Sequence, residues 1–361
     1  MKYTAMLSLF ALPFCLFADS EVAGTIAMSD RKNTDEKPMG PAMVTLSSAR
    51  PESANGWFIF ADALYWHADI GSTDWVLGGV TTPSGILVQK RKQRSVNFKW
   101  NWGFRAGITA NLQHDMWDTQ LYYTWFHAQA HDRVSIQPPQ VNTELLIAGT
   151  SIQSGRIHWS IHYSMLDWEL GKWFYVSNGC ALRPHMGVKG GWIHQGIKEA
   201  LIIPVQSGGG TEKAHFKNHF WGVGPSFGSN LVWVLGRAGA MDQHRFSLVG
   251  DCSGALMYGH FRVKHETTVF DTGGVVTGGS VIQGLNRNLA VAMLRGLIGF
   301  GWDVGFNKNR NHFTFQVEYE LQYWLRQNQL LVASLGFANG TRRLSDDLAL
   351  QGLTIDFQFD F

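Results

Sequence analysis

The chain has 361 residues, with 30 Lys and Arg against 28 Asp and Glu, and charged residues are only 16% of it. So balanced a charge argues against a nucleic-acid partner, and so small a share, against roughly 25% in an average soluble domain, leaves the surface short of ions. Forty glycines, 15 Trp and 23 Phe beside 10 Pro point to a β protein, and no run of about 18 apolar residues exists to make a helical membrane span.

In chain order, Lys2 precedes the uncharged stretch MLSLFALPFCLF, residues 6–17, and Ala18 supplies the small residue at a signal-peptidase site. Residues 1–18 are therefore expected to be a signal peptide, cleaved near Ala18. Phe14 before Cys15 speaks against a lipoprotein. Removal of residues 1–18 takes one lysine and no acid, leaving 29 basic against 28 acidic groups. Residues 19–56 are polar, broken by Pro and Gly and without period, which reads as a flexible periplasmic leader. The two remaining cysteines, Cys180 and Cys252, read as two unrelated small side chains.

From residue 57 to 361 the pattern changes. Ten segments alternate at period two: 57–68, 98–112, 117–129, 156–173, 180–195, 216–234, 244–263, 288–305, 312–327 and 352–361. Connections after the odd segments are long (69–97, 130–155, 196–215, 264–287 and 328–351), and those after the even ones are short turns near 113–116, 175–179, 235–243 and 307–311. Such sorting predicts an all-β transmembrane antiparallel barrel of about ten strands, with short periplasmic turns and long extracellular loops, in a bacterial outer membrane. TELLIAG within 130–155 reads as a candidate extra strand, which leaves room for twelve or more. Phe98, Trp100, Trp102, Phe104, Ala106 and Ile108 share one parity of the second segment, as Phe313, Phe315, Val317, Tyr319 and Leu321 do in the ninth. Aromatics near the segment ends read as two interfacial girdles: Trp57, Trp173, Phe174, Trp233, Trp302 and Phe361 at the periplasmic rim, with Trp66, Trp125, Trp159, Trp192, Trp221 and Tyr258 at the other. The closing GLTIDFQFDF puts Phe357, Phe359 and Phe361 on the apolar parity, where a terminal aromatic looks like the signal read by the barrel-insertion machinery.

Several stretches, among them WGFRAGITANLQHDMWDTQLYYTWFH (102–127), LDWELGKWF (166–174), LRPHMGVKGGWI (182–193) and FQVEYELQYWLRQNQ (315–329), resemble the Legionella-type major outer membrane protein family, whose pore-forming members also occur in environmental chlamydiae. The resemblance runs from about Trp57 to Phe361 and implies an abundant porin, with outer-membrane lipid and the insertion machinery as partners. It carries no catalytic residue.

If the aromatic parity faces lipid, the other parity faces the lumen. Pore-lining candidates are then Lys99, Arg105, His158, His162, Arg183, His185 and Lys189 on early strands, and Asp303, Glu318, Glu320, Asp356 and Asp360 on late ones. Basic groups would face acidic groups across the lumen and tune ion preference. The competing reading is that these groups neutralise neighbours such as Arg295. His158 and His162 stand about 13 Å apart along a strand, too far to share a metal, and no cofactor is expected. His127, His131 and Asp132, or His260 and His265, are the candidates for an omptin-like hydrolase, but G-x-S-x-G, H-E-x-x-H and P-loop motifs are absent. The expected function is passive diffusion of small hydrophilic solutes and ions; the alternative is a structural or adhesive barrel acting through its loops. Ten strands predict a narrow or partly plugged lumen, so a porin would need either missed strands or a homo-oligomer of narrow pores.

Overall fold

A strand with one greasy and one polar face has to bury the greasy face and pair both its edges. The chain meets the second demand by closure. The computed structural model describes residues 56–360 apart from 72, 79–91, 113–115, 136–140, 144–146, 149–150, 178, 206–207, 240–243, 307–310 and 335–340. The expected signal peptide, residues 19–55 and Phe361 thus lie outside the described residues.

Ten strands form the barrel: β1 Trp57–Ile70, β2 Asn101–Asn111, β3 Trp117–Ser135, β4 Ser154–Lys172, β5 Cys180–Ile203, β6 Gly210–Ala238, β7 His244–Phe270, β8 Val276–Phe306, β9 Asn311–Ser334 and β10 Thr341–Asp360. Each is antiparallel to the next, and β10 returns to β1 with Phe58 opposite Asp360 and Ile70 opposite Leu348. Closure leaves no ladder edge to be satisfied in lipid.

All ten expected strands exist, but several are longer than expected. β5 and β6 continue through most of 196–215, as far as the pairing of Ile203 with Gly210, and Gly208 and Gly209 just before β6 take positive φ. β7 and β8 continue through most of 264–287 to a turn in which the Asp271 side chain accepts a hydrogen bond from the Val275 amide at 2.8 Å. Those two connections are strand extensions rather than loops. From Trp221 to Trp233 on β6 is twelve residues, about 30 Å of height at a tilt of roughly 40°. That spans one bilayer, and the eleven residues from Gly210 to Trp221 rise beyond it.

The alternation changes meaning where the strands leave the membrane. On β5, Met186, Val188 and Trp192 face out and Arg183, His185 and Lys189 face in, whereas Ile193, Ile197 and Leu201 further on face in and His194 and Lys198 face out. In lipid the outer face must be apolar; in water it is polar, and the apolar side chains turn inward. The upper half therefore encloses an apolar plug that includes Trp66, Phe126, Trp159, Ile161, Phe216, Phe220, Phe261 and Trp324, all fully buried. A small sheet of Asp74–Gly78, Lys92–Ser95, Val141–Thr143 and Ser151–Ile152 contributes Trp75 and Val76 to the plug. A further short strand, Ile147–Ala148, pairs with Ala333 and Ser334, so TELLIAG does contain strand.

The girdle assignment needs correction at three tryptophans. Trp57, Phe174, Trp192, Trp221, Trp233 and Tyr258 are exposed on the outer face, but Trp66, Trp159 and Trp173 are buried inside. Phe98 is also buried, because residues 96–100 precede β2 and do not keep its parity.

Candidate functional site

At membrane height the interior is a belt of ions. Arg105, on β2, donates to Asp62 of β1 at 3.0 Å and to both oxygens of Glu320 of β9 at 2.9 Å, and its guanidinium lies 5.8 Å from the ring centres of both Trp66 and Tyr122. Glu320 also accepts from Arg295 at 2.7 Å, Gln322 at 2.8 Å and Thr354 at 3.2 Å. Nearer the periplasmic end, Arg183 is bound by Asp118 and donates to Asn230 at 2.8 Å and Glu169 at 3.4 Å. His185 lies 3.4 Å from Glu169 and 3.8 Å from Asp251, and Lys189 pairs with Asp167. Asp303 meets His312 at 3.4 Å, Thr314 at 3.1 Å and Arg245 at 3.8 Å. Ions this deep persist only when paired.

The structure places Arg105, Arg183, His185, Lys189, Asp303, Glu318, Glu320 and Asp356 inward and buried. Lys99 is exposed and precedes β2, and the side chain of Asp360 lies outside the described residues. His158 and His162 are corrected to the outer face, where His158 stacks on His131 and His162 on His127 with ring centres 4.4 and 4.0 Å apart. They lie above the membrane, where the inward parity of β4 is Ile157, Trp159, Ile161 and Tyr163. The expected separation of charge across the lumen is also corrected. Asp62, Asp118, Asp167 and Glu169 put acids on early strands and Arg245 and Arg295 put bases on late ones, so charge is neutralised locally. Asp167 and Glu169 went unread because placing His158 and His162 on the lumen parity puts the odd-numbered residues of β4, these acids among them, on the lipid side, whereas they face inward.

Within the belt is a cavity of about 80 Å³, bounded by Asp62, Arg105, Glu318 and Asp356 among others. Asp62 Oδ1 and Asp356 Oδ1 make no hydrogen bond among the described residues. A water needs about 10–15 Å³ and two to four polar partners, so the cavity has room for several.

The candidate hydrolytic groups are engaged elsewhere. Asp132 accepts from Trp75 at 2.8 Å and Arg94 at 3.3 Å, His260 meets Asn288 at 2.7 Å, and His265 is buried inside the barrel. Cys180 and Cys252 are separate thiols, opposite Trp233 and Ser229 respectively on β6.

A closed antiparallel barrel, apolar outside between two aromatic rings and polar outside beyond them, is an integral outer-membrane barrel. The chain belongs to the family described as Legionella pneumophila major outer membrane protein precursor, which matches residues 49–361. No curated protein matches it. Among solved structures it is similar to the outer membrane protease OmpT from Escherichia coli, at 11% identity and TM-score 0.36 over 84% of this chain and 97% of that one. A Pseudomonas aeruginosa FadL homologue is similar at 9% and 0.29 over 85% and 90% of the two chains. The P. putida toluene transporter TodX is similar at 9% and 0.27 over 86% and 91%.

Proposed function

We propose that this chain is a closed, non-catalytic outer-membrane barrel, structural or adhesive in role, that presents its tall upper half to the surroundings. One observation carries this reading: the inner face is occluded twice, by the ion belt at membrane height and by the apolar plug above it. An open diffusion pore needs a continuous wet path, and among the described residues the buried belt and the plug lie across the interior. Phe357 and Phe359 face outward on the last strand, in keeping with a terminal signal presented to the insertion machinery during assembly.

A second reading is passive diffusion of small hydrophilic solutes and ions, the porin expectation. The polar cavity in the belt, which has room for water, favours it, and it requires both the Arg105–Glu320 contact and the plug to part. Planar-bilayer recording separates the two. The refolded protein is expected to give no unitary steps in physiological salt, and liposomes containing it are expected not to swell in small sugars. Steady ohmic steps from the wild-type chain would replace the closed reading with a porin; Glu318→Gln and Glu320→Gln would then be compared for ion preference.

A further inference from the structure

The outer face carries a feature that neither reading uses. Just above the outer tryptophans, three consecutive outward rows cross β5, β6 and β7: Trp192, Trp221 and His260; then His194, His219 and Arg262; then Gly196, Lys217 and Lys264. Rows on one face of a strand are about 7 Å apart, so aromatic footing and cationic rim lie within one lipid headgroup. Lys217 stands directly opposite Lys264, a juxtaposition that costs stability unless an anion offsets it. The carboxylate facing this cluster among the described residues, Glu266, pairs with Lys264. Lys217 and Arg262 have no ion pair among the described residues. Burial, and after it the neighbouring cationic groups, push the His194 and His219 imidazoles below the ordinary histidine value, so the fixed charge of the lysine, arginine and acidic side chains here is that of Lys217, Arg262 and Lys264 against one acid.

These rows bound a groove of about 390 Å³. Directly beneath, and sharing Trp192 and Trp221 with it, is an apolar groove of about 460 Å³ walled by Leu166, Trp168, Val188 and Val223. Its floor is Gly190, paired with Leu166 on β4 and Val223 on β6. A Cβ built there meets nothing closer than 3.5 Å, so the notch is not forced by backbone crowding. The two grooves together match an amphiphile standing in the outer leaflet: anionic head on the cations, acyl chain in the slot, aromatic rings at the boundary.

We infer that the outer face of β4–β7 is a specific binding site for a phosphorylated, acylated lipid of the outer leaflet. The site is independent of whether the lumen conducts.

The test uses the refolded full chain in detergent and bisphosphorylated lipid A as probe, with retained lipid read by mass spectrometry of the intact protein and affinity by tryptophan fluorescence. Dephosphorylated lipid A and soluble inorganic phosphate are the comparison probes. The wild-type chain is expected to retain the phosphorylated lipid selectively, and Lys217→Ser with Arg262→Ser to bind it about 30-fold more weakly, at roughly a fivefold loss per surface cation. Gly190→Leu, which fills the slot and leaves the cations, is expected to weaken lipid binding while leaving gel mobility of the folded barrel unchanged. Equal retention of the dephosphorylated lipid, or unchanged affinity in the double variant, would overturn the inference. Competition by inorganic phosphate as effective as by the lipid would reduce the site to a simple anion site. A detergent-stable dimer that Gly190→Leu dissolves would give the groove to a second copy of the chain.

Discussion

Glu320→Gln is expected to lower the stability of the folded barrel by about 3–5 kcal/mol, the penalty for leaving a buried ion without its partner. Glu320 is fully buried and, among the described residues, is the one carboxylate paired with both Arg105 and Arg295. The amide keeps the shape but removes the charge. Arg105 then retains Asp62, whereas Arg295 keeps no other ion pair among the described residues. Urea titration of the refolded protein in detergent, followed by tryptophan fluorescence and by the heat-dependent gel shift of folded barrels, measures the loss. Glu318→Gln is the matched control two residues away on the same face. Glu318 is buried against the cavity with Asp62 and Asp356 and makes no ion pair among the described residues, so the isosteric amide breaks no ion pair there and is expected to change stability little. Equal losses for the two substitutions would show that the belt is not organised around Glu320.

The fold was legible because a bilayer imposes a simple rule on a strand. Tyr319 and Leu321 beside Glu318 and Glu320 disclose which side meets lipid, and the short turns mark the periplasmic end. The strand extensions were not legible for a reason the same rule supplies. Above the membrane, the apolar parity of His158-Trp159-Ser160-Ile161-His162 turns inward. A reader who carries the lipid rule past the aromatic girdle therefore sends the histidines into the lumen and Trp159 to the surface. Phase inversion along β4 and β5 is visible in the sequence as alternation whose polar members become His and Lys, but only once strand height is counted against bilayer thickness. The interior was half legible. Inward charges on β5 and β9 could be read from parity, but their partners are set by register between strands distant in sequence, as Arg105 and Glu320 are.

Trp159→Ala is expected to cost about 3–5 kcal/mol, the transfer and cavity cost of deleting a large core aromatic. Trp159 is fully buried on β4, packs edge-on against Phe98 with ring centres 5.9 Å apart, and its indole N–H has no hydrogen-bond partner among the described residues. The ring alone is thus what it contributes, and Trp159→Phe, which also removes the orphan donor, should lose well under half as much. Because the plug lies above the membrane section, the loss is expected to appear first there: proteolysis of intact liposomes should nick the chain between β5 and β6 before the membrane ladders give way. The two occlusions stand in series, so neither Glu320→Gln nor Trp159→Ala alone is expected to open a path. Removing side-chain bulk from both, as in Glu320→Ala combined with Trp159→Ala, is expected to produce unitary steps in planar bilayers where each substitution alone stays silent. Conductance from the belt variant alone, equal to that of the combination, would remove the plug from the barrier and leave Arg105 and Glu320 as its whole basis.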